Sequence, residues 1–459
     1  MTDSASAQIQ PGSDDPEYRK NLIRASLASS VGSALEYYDF ALYGLSAALI
    51  FGTLFFPELD PSTRLIASLA TFGVGFVARP LGGLFFGVLG DKLGRKWVLV
   101  VTILLMGGAS TAVGLLPTYN SIGVWAPVLL VLMRLLQGFG AGAEQAGSTV
   151  LMAEYSPVKR RGFFSALPFI GIQAGTLLAS AVFLGISTLS DEVLLGWVWR
   201  IPFLVSILLI LVALFIRLRL RETPTFIQLE EREQVAQNPL SELVHNSLGT
   251  VVRGIGLRMA ENGGSYMFST LAAAFIASQA VGLGKSTGSL AVAVGSLLAM
   301  ITCPLAGAIS DRLGRVKVYR FGAFFLLVYS FPAWWLLSLG IGWLAVVVVA
   351  IGIGVGIQAM LGPQCALLPE MFGSSHRYLG VAVSREFSAI AAGGLAGVIG
   401  ATLLKVFNDS WVPVAGYMAL LAAITAFTTF FVVETKGRDL LKVEDSARDP
   451  QLTEPPRGA

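Results

Sequence analysis

The chain has 459 residues, of which 54% are hydrophobic and only 13% charged, against roughly 25% charged in an average soluble domain. Twenty-five of its 61 Asp, Glu, Lys and Arg crowd into residues 1–22, 217–247 and 436–459, so the other 382 residues carry too few charges to cover a water-soluble surface. This excludes an ordinary soluble enzyme and leaves a polytopic membrane protein, and the formal net charge of +3 gives no support to nucleic-acid binding.

Residues 1–22 are polar and include Asp3, Asp14, Asp15 and Glu17. They lack the basic start and short apolar core of a secretory signal and are expected as an N-terminal tail. Twelve mostly apolar stretches long enough to span a bilayer follow: 24–52, 63–89, 97–116, 123–152, 163–187, 197–218, 250–278, 286–309, 317–339, 342–368, 379–404 and 411–433. A membrane barrel would instead show alternating segments of about ten residues, so the fold class is all-α. The first six spans make one bundle within 23–218, residues 219–247 form a charged central loop, and 248–435 hold the second bundle. A 24-residue tail, 436–459, closes the chain. The loops after the even-numbered spans, together with this tail, hold seventeen Lys or Arg between Lys92 and Arg438. The other side has four, Arg64, Arg200, Lys285 and Lys405. The positive-inside bias therefore puts both termini in the cytoplasm.

The halves repeat each other. Gly90-Asp91-Lys92-Leu93-Gly94-Arg95 returns as Ser310-Asp311-Arg312-Leu313-Gly314-Arg315, each between the second and third spans of its half. Glu154 with Arg161-Gly162 is echoed by Glu370 with Arg377 and Gly380, and Arg221-Glu222-Thr223 by Glu434-Thr435. Parallel repeats with an even number of spans imply two bundles related by an axis along the membrane normal, with a site between them.

These residues resemble the major facilitator superfamily, whose most recognisable signature is the loop Gly90-Asp91-Lys92-Leu93-Gly94-Arg95-Lys96. Glu36-Tyr37-Tyr38-Asp39-Phe40, Gly75-Phe76-Val77-Ala78-Arg79-Pro80-Leu81-Gly82-Gly83, Arg134-Leu135-Leu136-Gln137-Gly138 and Trp199-Arg200-Ile201-Pro202-Phe203 narrow the resemblance to its metabolite:proton symporter family, over about residues 20 to 438. The resemblance implies uptake of a small metabolite with protons across a bacterial inner membrane. Family substrates include dicarboxylates, citrate, shikimate, aromatic acids, proline and betaine. The sequence departs from the family early in the eleventh span, where Arg385-Glu386 stands in place of uncharged residues such as Tyr-Gln.

A charge at mid-bilayer is costly unless it is paired, hydrated or functional. Glu36 and Asp39 share one face of the first span, and Arg258 and Glu261 repeat the spacing in the seventh. Asp39 or Glu36 is the expected proton carrier, with Arg134 as a switchable partner: an anion that binds the arginine frees the carboxylate to take a proton. Arg79 is the expected substrate anchor. Tyr38, Gln137, Arg258, Glu261, Asn262, Tyr266, Gln358 and Arg385 are further candidates to line a polar substrate cavity, the aromatics by stacking or hydrogen bonding. Asp91 with Arg95, Asp311 with Arg315, and Glu154 with Arg161 are expected as gating charges at helix ends, together with Glu370.

His245 and His376 are the only histidines and Cys303 and Cys365 the only cysteines. With no metal spacing, nucleophile elbow or phosphate loop, neither an enzyme nor an ATP-driven pump is expected, and no cofactor or metal is implied. The expected partners are the lipid bilayer, protons and a small metabolite carried by a monomer. Intramembrane arginines favour an organic acid anion. A zwitterionic osmolyte symporter and a proton-driven exporter of the same fold are the alternatives.

Overall fold

A computed structural model describes the backbone of residues 16–93, 95–142, 144–219, 243, 245, 247–278, 280–374, 376–440, 442 and 444–453. Most of the central loop and the side chains of Asp91 and Arg95 lie outside the described residues, so the expectations placed on them are not addressed.

Among the described residues, twelve long helical rods make two six-helix bundles. The first holds α1 (Pro16–Leu49), α2 (Pro61–Leu93), α3 (Arg95–Leu115), α4 (Trp125–Ala141, resuming as Glu144–Tyr155), α5 (Pro168–Ser187, preceded by Arg161–Ala166) and α6 (Ile201–Arg219). The second holds α7 (Leu248–Tyr266, continuing to Ala277), α8 (Lys285–Leu313), α9 (Arg315–Ser338), α10 (Gly342–Ile351, continuing to Met371), α11 (Arg377–Ser388, continuing to Val406) and α12 (Trp411–Thr428). No strand occurs among the described residues. Seven of these helices are apolar enough by length and composition to cross a membrane, and α3, α4 and α6 contain shorter apolar runs. The remaining two, α1 and α7, are those with Glu36 and Asp39 or Arg258 and Glu261 in mid-helix, which lowers their mean hydropathy.

The bundles meet mainly along α5 with α8 and α2 with α11. The face on which the loops after α2, α4, α8 and α10 lie is called the terminal face below, and the other the opposite face. Glycines permit close approaches. A Cβ at Gly138 would collide with the Gly75 carbonyl and one at Gly142 with the Arg79 carbonyl, which brings α4 against the polar stretch of α2. Gly138→Ala should cost about 1–3 kcal/mol through overpacking, seen as a lower thermal unfolding temperature in detergent. An unchanged temperature would show that the two helices separate freely. In the second bundle α7, α10 and α11 each contain a π-helical turn, at Met267–Leu271, Gly352–Ile357 and Ala389–Gly394. Such widened turns recur at functional sites, and the first two contribute Ser269, Thr270, Ile353 and Ile357 to the wall of the central cavity.

Candidate substrate cavity and its charge networks

A cavity of about 840 Å³, open side included, lies between the bundles and is lined by residues of α1, α2, α5, α7, α8, α10 and α11. Arg258, Glu261, Asn262, Tyr266, Gln358 and Arg385 of the expected substrate residues are on its wall. Arg79, Tyr38 and Gln137 are not among its lining residues.

Each of those three has a defined position elsewhere. Tyr38 donates to the Pro202 carbonyl at 3.0 Å and ties α1 to α6. Arg79 is 4% exposed and makes a two-pronged bond to Glu386, Nε to Oε2 at 2.8 Å and Nη2 to Oε1 at 3.3 Å. Its Nη1 is also 3.6 Å from Glu36 Oε1. Gln145 then links Glu36 to Arg385, donating to Glu36 at 3.2 Å and accepting from Arg385 Nη2. The result is a buried chain, Glu386–Arg79–Glu36–Gln145–Arg385, that crosses between bundles twice. Bidentate pairing of this kind fixes geometry as well as charge. The unusual Arg385-Glu386 pair thus divides its duties: Glu386 holds α2, and Arg385 faces the cavity.

Gln137 belongs to a second network inside the first bundle. Asp39 accepts from Ser206 at 2.7 Å and from Ser110 at 2.8 Å. Gln137 Nε2 reaches Ser110 Oγ at 2.7 Å, and Arg134 Nη1 donates to Gln137 Oε1. Asp39 and Arg134 are therefore joined through two intervening side chains rather than face to face. Arg134 is fully buried and its guanidinium lies over the rings of Phe40, Tyr43 and Phe72, at 4.6, 4.4 and 4.7 Å from their centroids. Cation–π contacts in a dry site supply attraction where no carboxylate is in reach. Room for this side chain comes from Gly75, where a Cβ would stand 2.6 Å from Arg134 Nε.

The third network borders the cavity in the second bundle. Arg258 donates through Nε to Ser388 at 2.8 Å and through Nη1 to Gln364 at 2.9 Å, and its Nη2 is 3.5 Å from Glu261 Oε2. Gln364 Nε2 also donates to Glu261, at 3.1 Å. Asn262, with its amide turned so that both ends are satisfied, accepts from the Ala389 amide at 3.2 Å and from Arg258 Nη2 at 3.1 Å, and Gln358 donates to the Ile353 carbonyl at 3.2 Å. Tyr266 packs edge-on against Phe72 and Phe76 of α2, so this candidate contributes a ring contact between bundles.

On the terminal face, charged residues of the two bundles pair with one another, most of them buried. Glu370, fully buried, accepts from Arg161 at 3.0 Å, Arg315 at 3.3 Å and Thr435 at 2.7 Å. Asp311 accepts from Arg315 at 2.6 Å and from the amides of Gly162 and Phe163 at 2.8 and 2.9 Å. Glu154 pairs with Arg377 at 2.8 Å, so the expected Glu154–Arg161 pairing is exchanged: each of the two reaches a partner in the other bundle. The residues after Lys436 also pack here. Arg438 receives Arg161 on its carbonyl at 2.9 Å, and Asp445 accepts from Thr250, His376 and the Gly373 amide. Burial pushes the Asp445 carboxyl up, but these hydrogen bonds more than reverse it and hold it at about 2. Across the opposite face the ion pairs among the described residues are exposed, Lys405–Asp60 at 3.3 Å and Lys285–Asp191 at 2.6 Å, and Lys405 also donates to Thr63.

Gln145, Ser110, Ser206 and Ser388 had no signal in the sequence strong enough to mark them, whereas Gln364 stands out there as a polar group in an apolar helix that needs a partner. Ser and Gln occur in many apolar helices, and only the fold brings these onto charged partners.

Two six-helix bundles enclosing a central, mostly apolar cavity with charged side chains on its wall are the architecture of a membrane transporter of the major facilitator type. The chain belongs to the sugar (and other) transporter family, whose model matches residues 25–251 and 278–446. It is 35% identical over 420 residues to the shikimate transporter of Escherichia coli strain K12, covering 90% of this chain and 95% of that protein. It is 36% identical over 448 residues to the proline/betaine transporter of Salmonella typhimurium, covering 95% of this chain and 88% of that one. Its fold is similar to the xylose transporter XylE from E. coli in a partially occluded inward open conformation, with a TM-score of 0.72 and 20% identity over 92% of this chain and 100% of that one. As a member of this family it is a transporter and not an enzyme.

Proposed function

We propose that the protein is a proton-coupled symporter that takes up a small organic acid anion by alternating access across the inner membrane, with both termini in the cytoplasm. The observation that carries this reading is the placement of two buried guanidinium groups, Arg258 and Arg385, on the wall of the cavity between the bundles. A carboxylate entering there meets positive charge in a low-dielectric surrounding, where such an interaction is strong. Asp39, in its own buried network, is the proton carrier. The proton stays on Asp39, and its arrival is felt at Arg134 through Ser110 and Gln137 as a change in hydrogen bonding. Arg79, committed to Glu386, serves as a latch between bundles rather than as the substrate anchor. The buried ties on the terminal face and the exposed ties on the opposite one act as the two gates of the cycle.

A second reading, symport of a zwitterion, is favoured by one feature: Glu261 gives the same cavity a carboxylate for a cationic group. The proline/betaine relatives are consistent with it. Proteoliposomes with an inward proton gradient separate the two. Labelled shikimate should accumulate, compete with malate, citrate or benzoate, and stop accumulating when an uncoupler is added. Accumulation of betaine with no uptake of any acid would select the second reading, and acid accumulation untouched by the uncoupler would remove proton coupling.

A further inference from the structure

The cavity wall carries more ionisable groups than one anion anchor requires, and they are bonded unequally. Arg258, Glu261 and Arg385 all line it at 4%, 6% and 4% exposure. Arg258 is held in place by Ser388 and Gln364, neither of which is a charge. Its approach to Glu261, 3.5 Å, is longer than an ordinary charge-assisted hydrogen bond. Arg385 gives Nη2 to Gln145, while its buried Nε meets no acceptor.

We propose that Glu261 is a second proton site of the carrier: ionised and facing Arg258 when the cavity is empty, and protonated when a substrate carboxylate takes its place on Arg258 with Arg385 as second anchor. This rests on the organic-anion reading above. Two guanidinium groups and one carboxylate leave the empty site with one net positive charge. An entering carboxylate together with a proton on Glu261 leaves that charge unchanged, so anion and proton load as a neutral pair. The proton comes from water in the open cavity. The Arg258–Glu261 contact breaks as the Arg258–substrate contact forms, and release reverses both changes. Without the proton, Glu261 would lose its one paired guanidinium, Arg258, to the substrate and stand ionised beside a second carboxylate, which disfavours its charged form.

The groups around Glu261 are compatible with this exchange. Arg258 and Tyr266 share its helix, Cys303 faces it from α8, Tyr319 from α9, Cys365 from α10 and Arg385 from α11. Only the two arginines among them are cations, and Tyr319 is already committed to the Leu257 carbonyl at 2.9 Å. Asp39 is bonded to residues of the first bundle, so the two proton sites share no hydrogen-bond partner.

The test uses purified full-length protein in weakly buffered detergent with a pH indicator, titrated separately with shikimate, malate, citrate and benzoate. In an Asp39→Asn background, which removes the first site, binding should take up about one proton per acid bound. Adding Glu261→Gln should abolish that uptake per acid bound, whatever its effect on affinity. Proton uptake that persists in the double variant overturns the inference. Acid binding without proton uptake in the Asp39→Asn protein, where Glu261 is native, overturns it as well and needs no second variant to fold. Either result leaves the organic-anion reading standing. Binding of betaine and of none of the four acids removes that reading, and the inference with it.

Discussion

Asp39→Asn should lower proton-driven accumulation in proteoliposomes at least tenfold while substrate exchange between loaded and unloaded sides continues. Asn has nearly the shape of Asp, and the hydroxyls of Ser110 and Ser206 can accept as well as donate, so the variant keeps its place between α3 and α6. What disappears is the exchangeable proton of the first site, and with it that site's share of the driving force. General acid–base groups contribute on the order of a hundredfold or more to the steps they serve, and a carrier that relied on Asp39 would lose its coupling on that scale. Arg134→Lys is the companion variant. Lysine cannot spread a planar cation over Phe40, Tyr43 and Phe72 while reaching Gln137, so its thermal unfolding temperature should fall together with coupling. Normal gradient-driven accumulation by Asp39→Asn would take that residue out of the mechanism.

Glu370→Ala should open the terminal face. Removal of this carboxylate deprives Arg161 and Arg315 of a shared buried partner and Thr435 of its acceptor. Loss of one side of a buried pair costs about 3–5 kcal/mol, and here the loss falls on the contact that joins α10 to the segment leading into α5. The native cysteines give a direct readout. Cys303 and Cys365 are buried with Phe169 and Leu361, between the cavity and the Glu370 network. Their modification by N-ethylmaleimide should be at least tenfold faster in Glu370→Ala than in the unmodified protein, in line with a shift of a few kcal/mol in the gating equilibrium. An unchanged rate would mean that another contact keeps this face shut.

The helices, the two-bundle division and the positions of the repeated charges were legible in the sequence because they rest on local quantities: runs of apolar residues, clusters of basic ones, and an offset between similar motifs. Partnerships were not. Arg79 and Glu386 are 307 residues apart, and nothing near Arg79 distinguishes a guanidinium destined for a protein carboxylate from one destined for a ligand. The sequence likewise suggested Glu154 with Arg161, which are neighbours along the chain, whereas packing takes each across to the other bundle. The cavity residues of α7 were found because a charge pair in mid-span is costly enough to be conspicuous. The serines and Gln145, inexpensive in a helix, drew no notice until the fold placed acids and arginines beside them.

The crossed pairs have a meaning beyond gating. Glu154 and Arg161 correspond in the repeat to Glu370 and Arg377, and the contacts are Glu154 with Arg377 and Arg161 with Glu370. This is the reciprocal pattern of an isologous interface, in which residue i of one subunit meets residue j of its twin and j meets i. The single chain therefore keeps, at its terminal face, the bonding arrangement of a symmetric homodimer whose two copies have been joined end to end. A charge altered in one copy of the motif has its complement not in its own half but in its sibling's.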